Sequence, residues 1–381
     1  MTGERSVNEA EVLIVGAGIT GLCAALELVR RGREVVVVER REIGAGASGN
    51  NAGSCAVQNK PRPLITLARE SVQIWGALQE NLQTEGLDLG YVRSGGLRLA
   101  ETQEQVEELE LSVDAQRALG VSVQFLSGRE AREAALYLGE SVQAANWCPD
   151  DGFCDVLHSM AVLPVAVRRH GGAIVTHTEV TAIERVGSSL HVRTSRGSWR
   201  AGRVLICAGT WTRDLERTLG VSVPLEPKIN ILSVTARTAP VVAHMLTHVS
   251  HRLTMKQFKI GTVMIGGGWP GVGDYRTYQA RPTFESLRGN WQMAVRAVPA
   301  LAQLNILRSW GGIDGRSPDG LPLVGPVPGL SGAYMAACCP AGWTTGPFIA
   351  QQLVEMAETG RVPPVMAPFD PARYNPLRQL T

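Results

Sequence analysis

The chain has 381 residues, of which 44% are hydrophobic and 19% charged, so it is able to bury a large core and is not a wholly disordered protein. Its 37 basic and 35 acidic residues give a net charge of +2, without the basic stripe that is typical of nucleic-acid binding. The polar N-terminal segment lacks the apolar core of a secretory signal. We therefore expect a cytoplasmic protein without a membrane span.

The seven cysteines are irregularly spaced and include no C-x-x-C pair, which predicts reduced thiols and argues against a zinc or iron–sulfur site. His244, His248 and His251 have ligand-like spacing, but no cysteine or carboxylate cluster accompanies them, so no metal site is expected. The adjacent Cys338 and Cys339 are interpreted as small residues at a buried strand end, with a redox role as the alternative.

The most apolar stretch, 12–29, has the length of a membrane span but contains a cluster of glycines and Glu27. We interpret it as the end of a buried strand (11–15), a glycine turn and a helix (19–31) that Gly32 terminates. A second buried strand follows over 34–38. The chain thus begins with a β-α-β unit.

Further along the chain, apolar periodicity and turn residues predict helices and strands in alternation, and then a strand-rich region over 224–310. The predicted helices are 64–82, 102–119, 155–170, 284–298 and 342–359, and the predicted strands are 173–176, 190–194, 203–207, 229–236, 250–255, 262–265 and 333–337. Residues 121–147 are predicted as short strands and turns. This pattern predicts an α/β fold: a Rossmann-like nucleotide-binding domain interrupted by a second domain with an antiparallel sheet.

The turn after the first strand contains the spacing G-x-G-x-x-G, at Gly16, Gly18 and Gly21. The first glycine permits the tight turn, the second lets a pyrophosphate approach the backbone, and the third lets helix and strand pack closely. The N–H groups at the helix start, at Ile19 and Thr20, face the phosphate charge. The spacing therefore predicts a dinucleotide site, the alternative being a glycine turn without a ligand.

Glu39 ends the second strand, where a carboxylate accepts hydrogen bonds from both ribose hydroxyls and repels a 2′-phosphate. Arg40, the next residue, is part of the same candidate site. The presence of strand, helix and acid together favours the dinucleotide interpretation.

A second loop of small residues, 46–53, follows the ribose acid and is not needed by a simple NAD fold. Ser48 offers a hydroxyl, Asn50 and Asn51 offer amides, and Ala52 and Gly53 let a flat ring lie close. This loop favours FAD over NAD, the alternative being an ordinary surface loop.

Together with Glu39, four motifs make the sequence resemble the D-amino-acid oxidase family of flavoproteins, whose FAD-binding domain is of the glutathione-reductase-2 type. They are VGAGITG (15–21), GASGNNAG (46–53), VLICAGTWT (204–212), and SPDGLPLVG (317–325) with a later Gly-Trp-Thr (342–344). Similar proteins include glycine and sarcosine oxidases and the flavin (beta) subunits of D-hydroxyproline and opine dehydrogenases. The motifs are specific to the family and not to a substrate.

The resemblance implies that both ends of the chain hold FAD, with the substrate between the flavin face and the sheet of the second domain. It places Val180 at the adenine, and Gly209 and Trp211 near the ribose and pyrophosphate. It also places N–H groups near the flavin O2, in a segment made of Ala341, Gly342, Trp343, Thr344 and Thr345. Such donors stabilise negative charge on the reduced ring.

The implied reaction is hydride transfer from an amine-bearing carbon to flavin N5, which leaves an imine that water hydrolyses. The resemblance implies a discontinuous FAD domain (1–85, 150–223 and 311–381) and a substrate or interface domain (86–149 and 224–310). Candidate substrates are D-hydroxyproline, D-proline, an opine, sarcosine or glycine. The sequence does not choose among them.

Asp314 occupies the place at which similar amino-acid oxidases carry an arginine for the substrate carboxylate. Arg316 follows two residues later; it either replaces that arginine or forms an ordinary ion pair with Asp314. His251 is a further candidate for the substrate pocket. No cysteine lies between Cys207 and Cys338, so the FAD is expected to be non-covalent.

The strand over 262–269, which corresponds to one that carries an oxygen-activating lysine in sarcosine oxidases, has no lysine. Its absence favours a dehydrogenase that passes electrons to partner subunits, with a second flavin, FMN, at a subunit interface as a further possibility. Lys256 either faces the pocket or is solvated. The alternatives are a stand-alone oxidase that makes peroxide and a non-catalytic flavin-binding assembly subunit.

Overall fold

The computed structural model describes residues 8–58, 60–337 and 341–375. The interpretation of Cys338 and Cys339 concerns residues outside these ranges and stays a prediction.

Eight α-helices lie within the described residues: α1 (Ile19–Arg30), α2 (Arg62–Thr84), α3 (Gln103–Ala118), α4 (Gly128–Ala134), α5 (Val156–Arg169), α6 (Glu216–Leu219), α7 (Phe284–Ala297) and α8 (Gly342–Thr359). The strands of the first half are β1 (Asn8–Val15), β2 (Val35–Val38), β3 (Ser54–Cys55), β4 (Tyr91–Val92), β5 (Gly96–Ala100), β6 (Gln124–Ser127), β7 (Ala144–Cys148), β8 (Gly152–Cys154), β9 (Ala173–Val175) and β10 (Val180–Val186). Those of the second half are β11 (Ser189–Thr194), β12 (Gly197–Ile206), β13 (Glu226–Thr235), β14 (Met245–His248), β15 (Thr254–Gln257), β16 (Val263–Gly266), β17 (Gly271–Asp274), β18 (Gln279–Pro282), β19 (Ile306–Arg316), β20 (Leu323–Pro326) and β21 (Ala333–Ala337).

The first sheet has a parallel centre, in which β1 pairs with β2 and β12, β2 with β9, and β12 with β21. Its central strands are short apolar runs, such as Val-Val-Val-Val in β2, and helices cover one face while loops and α6 cover the other. Strands that are buried on both faces need this continuous hydrophobicity. The α/β prediction and the opening β-α-β unit are confirmed.

The second sheet has the order β19-β13-β16-β15-β14-β5-β7-β6. All its pairs are antiparallel except β14 with β5, so the predicted antiparallel sheet is in fact mixed. That parallel pair is the seam at which strands from two distant stretches of the sequence join. The predicted domain boundaries themselves stay a prediction.

Two elements differ from the sequence-based expectations. Residues 121–147 contain α4, whose capping box joins Ser127 and Glu130; this local signal outweighs the short run's weak periodicity. The strand predicted over 250–255 is instead β14 and β15, separated by a tight turn in which His251 adopts a φ of 57°. The predicted helix over 342–359 and strand over 333–337 are confirmed.

Among the described residues, we find no helix with the length and apolar character needed to cross a membrane. The apolar stretch 12–29 divides into β1 and α1 around the glycine turn.

The close contact between β1 and α1 generates a test of stability. A Cβ on Gly21 would overlap the carbonyl oxygen of Gly16, which is backbone and has no room to move. We expect Gly21→Ala to lower the free energy of unfolding by about 2–4 kcal/mol in urea titrations. Gly76→Ala is the control: its Cβ would lie 4.0 Å from the nearest atom, on Tyr91, and helix propensity predicts an unchanged or higher stability. Equal losses in both variants would contradict this packing.

Candidate functional site

A long cleft opens where β1, β2 and β12 end at their carboxyl ends, which is where open parallel sheets bind ligands. Most of the predicted cofactor residues line it: Gly16, Gly18, Ile19, Thr20, Glu39, Arg40, Ser48, Asn51, Val180, Gly209, Trp211, Ala341, Gly342 and Trp343. The remaining predicted cofactor residues are not part of this lining: Gly21, Asn50, Ala52, Gly53, Thr344 and Thr345.

The glycine turn brings bare backbone to the cleft. Gly16 has a φ of 104°, and a Cβ there would lie 2.5 Å from the carbonyl oxygen of Cys207. The hydroxyl oxygen of Ser48 accepts a hydrogen bond from the Ile19 N–H at 2.9 Å, and it would lie 3.1 Å from a Cβ on Gly18. Ser48 thus acts on the helix start, and the proton of its hydroxyl remains available as a donor.

Glu39 is fixed by the backbone on both sides. One carboxylate oxygen accepts from the Ala17 N–H at 2.8 Å and the other from the Arg41 N–H at 2.9 Å. Each oxygen has a further lone pair, so the carboxylate keeps acceptor capacity at the wall of the cleft. A ribose fits this wall, because its hydroxyls are donors.

An aromatic and cationic cluster forms part of the cleft lining. The rings of Trp211 and Tyr278 stack with centroids 4.7 Å apart, and the Arg40 guanidinium lies 5.0 Å and 4.7 Å from the two rings. Arg41 covers Tyr278 at 4.1 Å. Tyr278 lies in the turn between β17 and β18, so a hairpin far along the sequence reaches the β-α-β unit. Sequence reasoning missed this contact. The sequence feature connected with it is Gly46, where a Cβ would lie 2.8 Å from the Trp211 ring.

The loop over 44–53 divides its amides between the cleft and its own structure. Asn50 donates both amide protons to the carbonyls of Ala45 and Gly46, and its side chain therefore braces the loop. Asn51 lines the cleft and accepts from the Gly53 N–H at 2.8 Å. The amide protons of Asn50, which were predicted to contact the cofactor, are therefore used within the loop.

Helix α8 also begins at the cleft, without a side-chain cap. The residue before it, Ala341, has a φ of 65°, a conformation that costs energy for a residue other than glycine and is frequent at functional sites. Thr344 and Thr345 are buried behind it: Thr344 donates to the carbonyl of Ser54 at 2.9 Å, and Thr345 donates to the carbonyl of Ala341 at 3.1 Å. Their hydroxyls hold the helix start in place.

These features fit an extended dinucleotide. Helices α1 and α8 both begin at the cleft, and in neither does the N-cap side chain satisfy the first N–H groups. Such helix starts bind anionic groups. The hydroxyl oxygen of Thr210, which also lines the cleft, is buried without a hydrogen-bond partner among the described residues. A diphosphate between the glycine turn and Ser48, with a ribose on Glu39, matches this donor and acceptor set.

The predicted catalytic residues are not part of the cleft lining. Arg316 is exposed at the end of β19, and His251 is exposed in the turn before β15. Asp314 itself lines the cleft, and one of its carboxylate oxygens accepts from the Gly315 N–H at 2.8 Å. A carboxylate therefore stands where the resemblance implies an arginine.

Lys256 is fully buried, so of its two alternatives the solvated one is wrong. Its ammonium donates to the carbonyl of Ala52 at 3.0 Å and to the hydroxyls of Ser54 and Thr254 at 2.7 and 3.1 Å. Burial lowers the pKa of Lys256 to about 7, because the ammonium has left water and is held by neutral oxygens. It lies on β15, opposite Met264 of β16, which is the strand without a lysine that the sequence analysis singled out.

Two buried thiols lie beside this region. Cys55 and Cys154 have sulfur atoms 3.7 Å apart, and burial raises the pKa of Cys154 well above its usual value. The Cys154 thiol is therefore protonated, and the pair contributes packing. Within residues 8–58, 60–337 and 341–375, no cluster of three or more histidine, cysteine or acidic residues is able to hold a metal ion.

Comparison with known proteins adds the family context. The family model described as "FAD dependent oxidoreductase" (DAO) matches residues 11–356. The chain is 29% identical to a glycine oxidase of Geobacillus kaustophilus over 96% of this chain and 97% of that protein. It is 24% identical to a subunit of the opine oxidase of Agrobacterium tumefaciens, over 96% and 98% of the two chains.

Solved structures agree in fold. The crystal structure of the G. kaustophilus glycine oxidase superposes with a TM-score of 0.87, at 28% identity, over 96% of this chain and 99% of that one. The L-proline dehydrogenase of P. horikoshii superposes with a TM-score of 0.88, at 26% identity, over 97% and 99%. The combination of one mainly parallel and one mixed sheet is therefore a shared architecture.

The lowered pKa of Lys256 predicts a specific pH dependence of stability. Between about pH 7 and the ordinary lysine value of 10.5, the unfolded chain holds this proton and the folded chain does not. Stability that depends on Lys256 therefore rises with pH across this window, by at most about 1.4 kcal/mol per pH unit. We expect urea titrations from pH 6.5 to 9.5 to show wild type gaining stability relative to Lys256→Met. Lys259→Met, at an exposed lysine, is the control, and parallel pH curves for wild type and Lys256→Met would contradict the assignment.

Proposed function

Because the chain belongs to the DAO family of FAD-dependent oxidoreductases, we propose that it removes a hydride from the carbon next to the nitrogen of a small amino or imino acid. A secondary amine related to D-hydroxyproline, an opine or sarcosine is the proposed substrate class. The proposed enzyme is a dehydrogenase subunit that transfers the electrons to a partner. The observation that carries the proposal is the cleft in which the glycine turn, Glu39 and the start of α8 converge.

FAD is the proposed cofactor, bound without a covalent link. When bound, it supplies the hydride acceptor. The described cysteines are all buried thiols, and among them only Cys207 lines the cleft, at the end of β12, beside the glycine turn. Nothing supports a second flavin, and FMN is therefore not part of the proposal.

The residues around the cleft have distinct proposed roles. Gly16, Gly18 and Ser48 position the diphosphate, and Glu39 holds the ribose. The N–H groups at the start of α8 face the flavin end and stabilise the negative charge that develops there on reduction. Backbone N–H groups are sufficient for this electrostatic role, so no acidic or basic side chain is needed next to the flavin ring.

The wall near Asp314 bears on the substrate. A carboxylate in this wall attracts a positively charged amine and repels a carboxylate. A secondary amine or a substrate whose carboxylate points elsewhere suits this wall better than a simple α-amino acid that is gripped through its carboxylate.

The preference for a dehydrogenase rests on two observations. The opine oxidase chain of A. tumefaciens, which is similar over nearly the whole length, is by its name one subunit of an assembly. Lys256, on the strand paired with the one that has no lysine, is fully buried, and its ammonium makes three hydrogen bonds within the protein, so we do not assign it the role of the missing lysine. The likeness to glycine oxidase favours the second candidate, a stand-alone oxidase that produces hydrogen peroxide.

An anaerobic screen of secondary amines and D-amino acids tests this function. We expect at least one of them to bleach the bound flavin, followed by rapid reduction of an electron-accepting dye and slow formation of peroxide in air. Rapid, stoichiometric peroxide from the purified chain would establish the stand-alone oxidase instead. Flavin that no amine bleaches, although dithionite does, would contradict the proposed function and support a non-catalytic flavin-binding subunit.

Ser48 offers a test of the phosphate site. Removing its hydroxyl takes away the acceptor of the Ile19 N–H and a donor at the cleft. We expect Ser48→Ala to raise the FAD dissociation constant about tenfold, equivalent to about 1.4 kcal/mol, when apoprotein is titrated and flavin fluorescence is followed. Ser188→Ala, at an exposed turn, is the matched control and should bind FAD as wild type does. Wild-type affinity in Ser48→Ala would place the diphosphate elsewhere.

A further inference from the structure

Lys256, Ser54 and Thr254 form a closed hydrogen-bonded triangle between strands β15 and β3. The two hydroxyl oxygens are 3.0 Å apart, and the ammonium donates to both and to the carbonyl of Ala52. None of these three partners, which lie in the described part of the chain, is a carboxylate. The proton on this lysine is therefore held by neutral oxygens.

The triangle satisfies both protonation states of the lysine. As an ammonium, Lys256 donates three hydrogen bonds to the three oxygens. As a neutral amine, it still donates to Ala52 and one hydroxyl, and the other hydroxyl rotates to donate to the nitrogen lone pair. Since each state keeps its hydrogen bonds, a proton enters or leaves without a rearrangement of heavy atoms.

The hydroxyls stand between the buried nitrogen and accessible space. The side chain of Lys256 has no exposed surface, whereas Ser54 and Thr254 are half-buried. Ala52, which accepts from the ammonium, is adjacent to the cleft-lining Asn51, and Thr344 of α8 donates to the carbonyl of Ser54. The triangle therefore lies next to a cleft-lining residue and to the start of α8.

We propose that this triangle accepts the proton of the substrate's ammonium group before hydride transfer, with a hydroxyl of Thr254 or Ser54 as the relay and the Lys256 amine as the final acceptor. The inference rests on the proposed function. In the step, the hydroxyl gives its proton to the lysine nitrogen and receives the ammonium proton. A neutral amine and a Lys256 ammonium are the products, and no electrons move. Because it acts through the hydroxyls, Lys256 is a positioning residue.

The electrostatics of the surroundings suit a group that exchanges a proton near neutral pH. Burial lowers the pKa of Lys256 to about 7. The titratable groups that act on it are Cys55, Cys154 and Lys60. Burial raises the pKa of Cys154, which therefore stays neutral, and lowers that of Lys60. An amine that is half protonated near pH 7 is well matched to general-base work.

The test measures the rate of anaerobic flavin bleaching from pH 6 to 10, with the amine that the screen identifies. For wild type, we expect the rate to rise with pH through about 7. For Lys256→Met, we expect a rate about 100-fold lower at pH 7 that recovers towards the wild-type rate near pH 10, where the free amine no longer needs a base. Lys259→Met is the control and should keep the wild-type profile.

A pair of variants separates the relay from packing. Thr254→Ser keeps a hydroxyl and should retain the rise near pH 7, whereas Thr254→Val has nearly the same shape without the hydroxyl and should slow the reaction at pH 7. Equal profiles in Thr254→Val and Thr254→Ser, with Ser54→Ala also unchanged, would overturn the relay. A Lys256→Met rate that is reduced by the same factor at every pH would overturn the role of Lys256 in proton transfer.

A spectroscopic readout is independent of any substrate. In the full-length holoprotein labelled with ¹³Cε-lysine, the resonance that is missing from Lys256→Met should titrate near pH 7, well below the ordinary lysine value of 10.5. A resonance that titrates near 10.5 would overturn the inference even when an amine bleaches the flavin. A resonance that titrates near 7 in a protein whose flavin no amine bleaches would contradict both the proposed function and the role of Lys256 as a base. It would still confirm that Lys256 is a buried lysine with a lowered pKa.

Discussion

The site depends on one electrostatic arrangement: α1 and α8, whose N-cap residues make no side-chain capping hydrogen bond, both begin at the same cleft. One helix comes from the beginning of the chain and the other from its end. N–H groups at a helix start favour negative charge, and those of α1 follow a glycine turn in which a Cβ on Gly16 would overlap the carbonyl oxygen of Cys207. The parallel sheet makes this convergence possible, because β1 and β21 both pair with β12 and therefore end at the same edge.

Strands from the second half of the chain also reach this region. The hairpin of β17 and β18 places Tyr278 against Trp211 and Arg40, and β15 ties the loop at Ala52 and Ser54 through Lys256. Both contacts join residues that are far apart in sequence. Tyr278 of that hairpin and Asp314 of β19 thus line the cleft beside residues of the β-α-β unit.

Local rules predicted part of the site from the sequence. The glycine spacing, the ribose acid and the helix over 342–359 each have a physical signature of their own, and the structure brings Gly16, Glu39 and Gly342 to one cleft. Side-chain partners were beyond such rules. Nothing local to Asn50 indicates that its amide braces the loop, and nothing near Lys256 indicates burial, because strand β15 alternates too briefly to identify its inward face. Tyr278 was missed because only the tertiary fold brings the β17–β18 hairpin to the β-α-β unit.

The central claim is that this cleft holds one FAD per chain without a covalent bond. The most direct measurement is to saturate the purified protein with FAD, remove the excess, and quantify the flavin that acid denaturation releases. The account predicts one equivalent of FAD in the supernatant and a colourless protein pellet. Protein that retains no flavin after saturation, or a pellet that stays yellow, would contradict it.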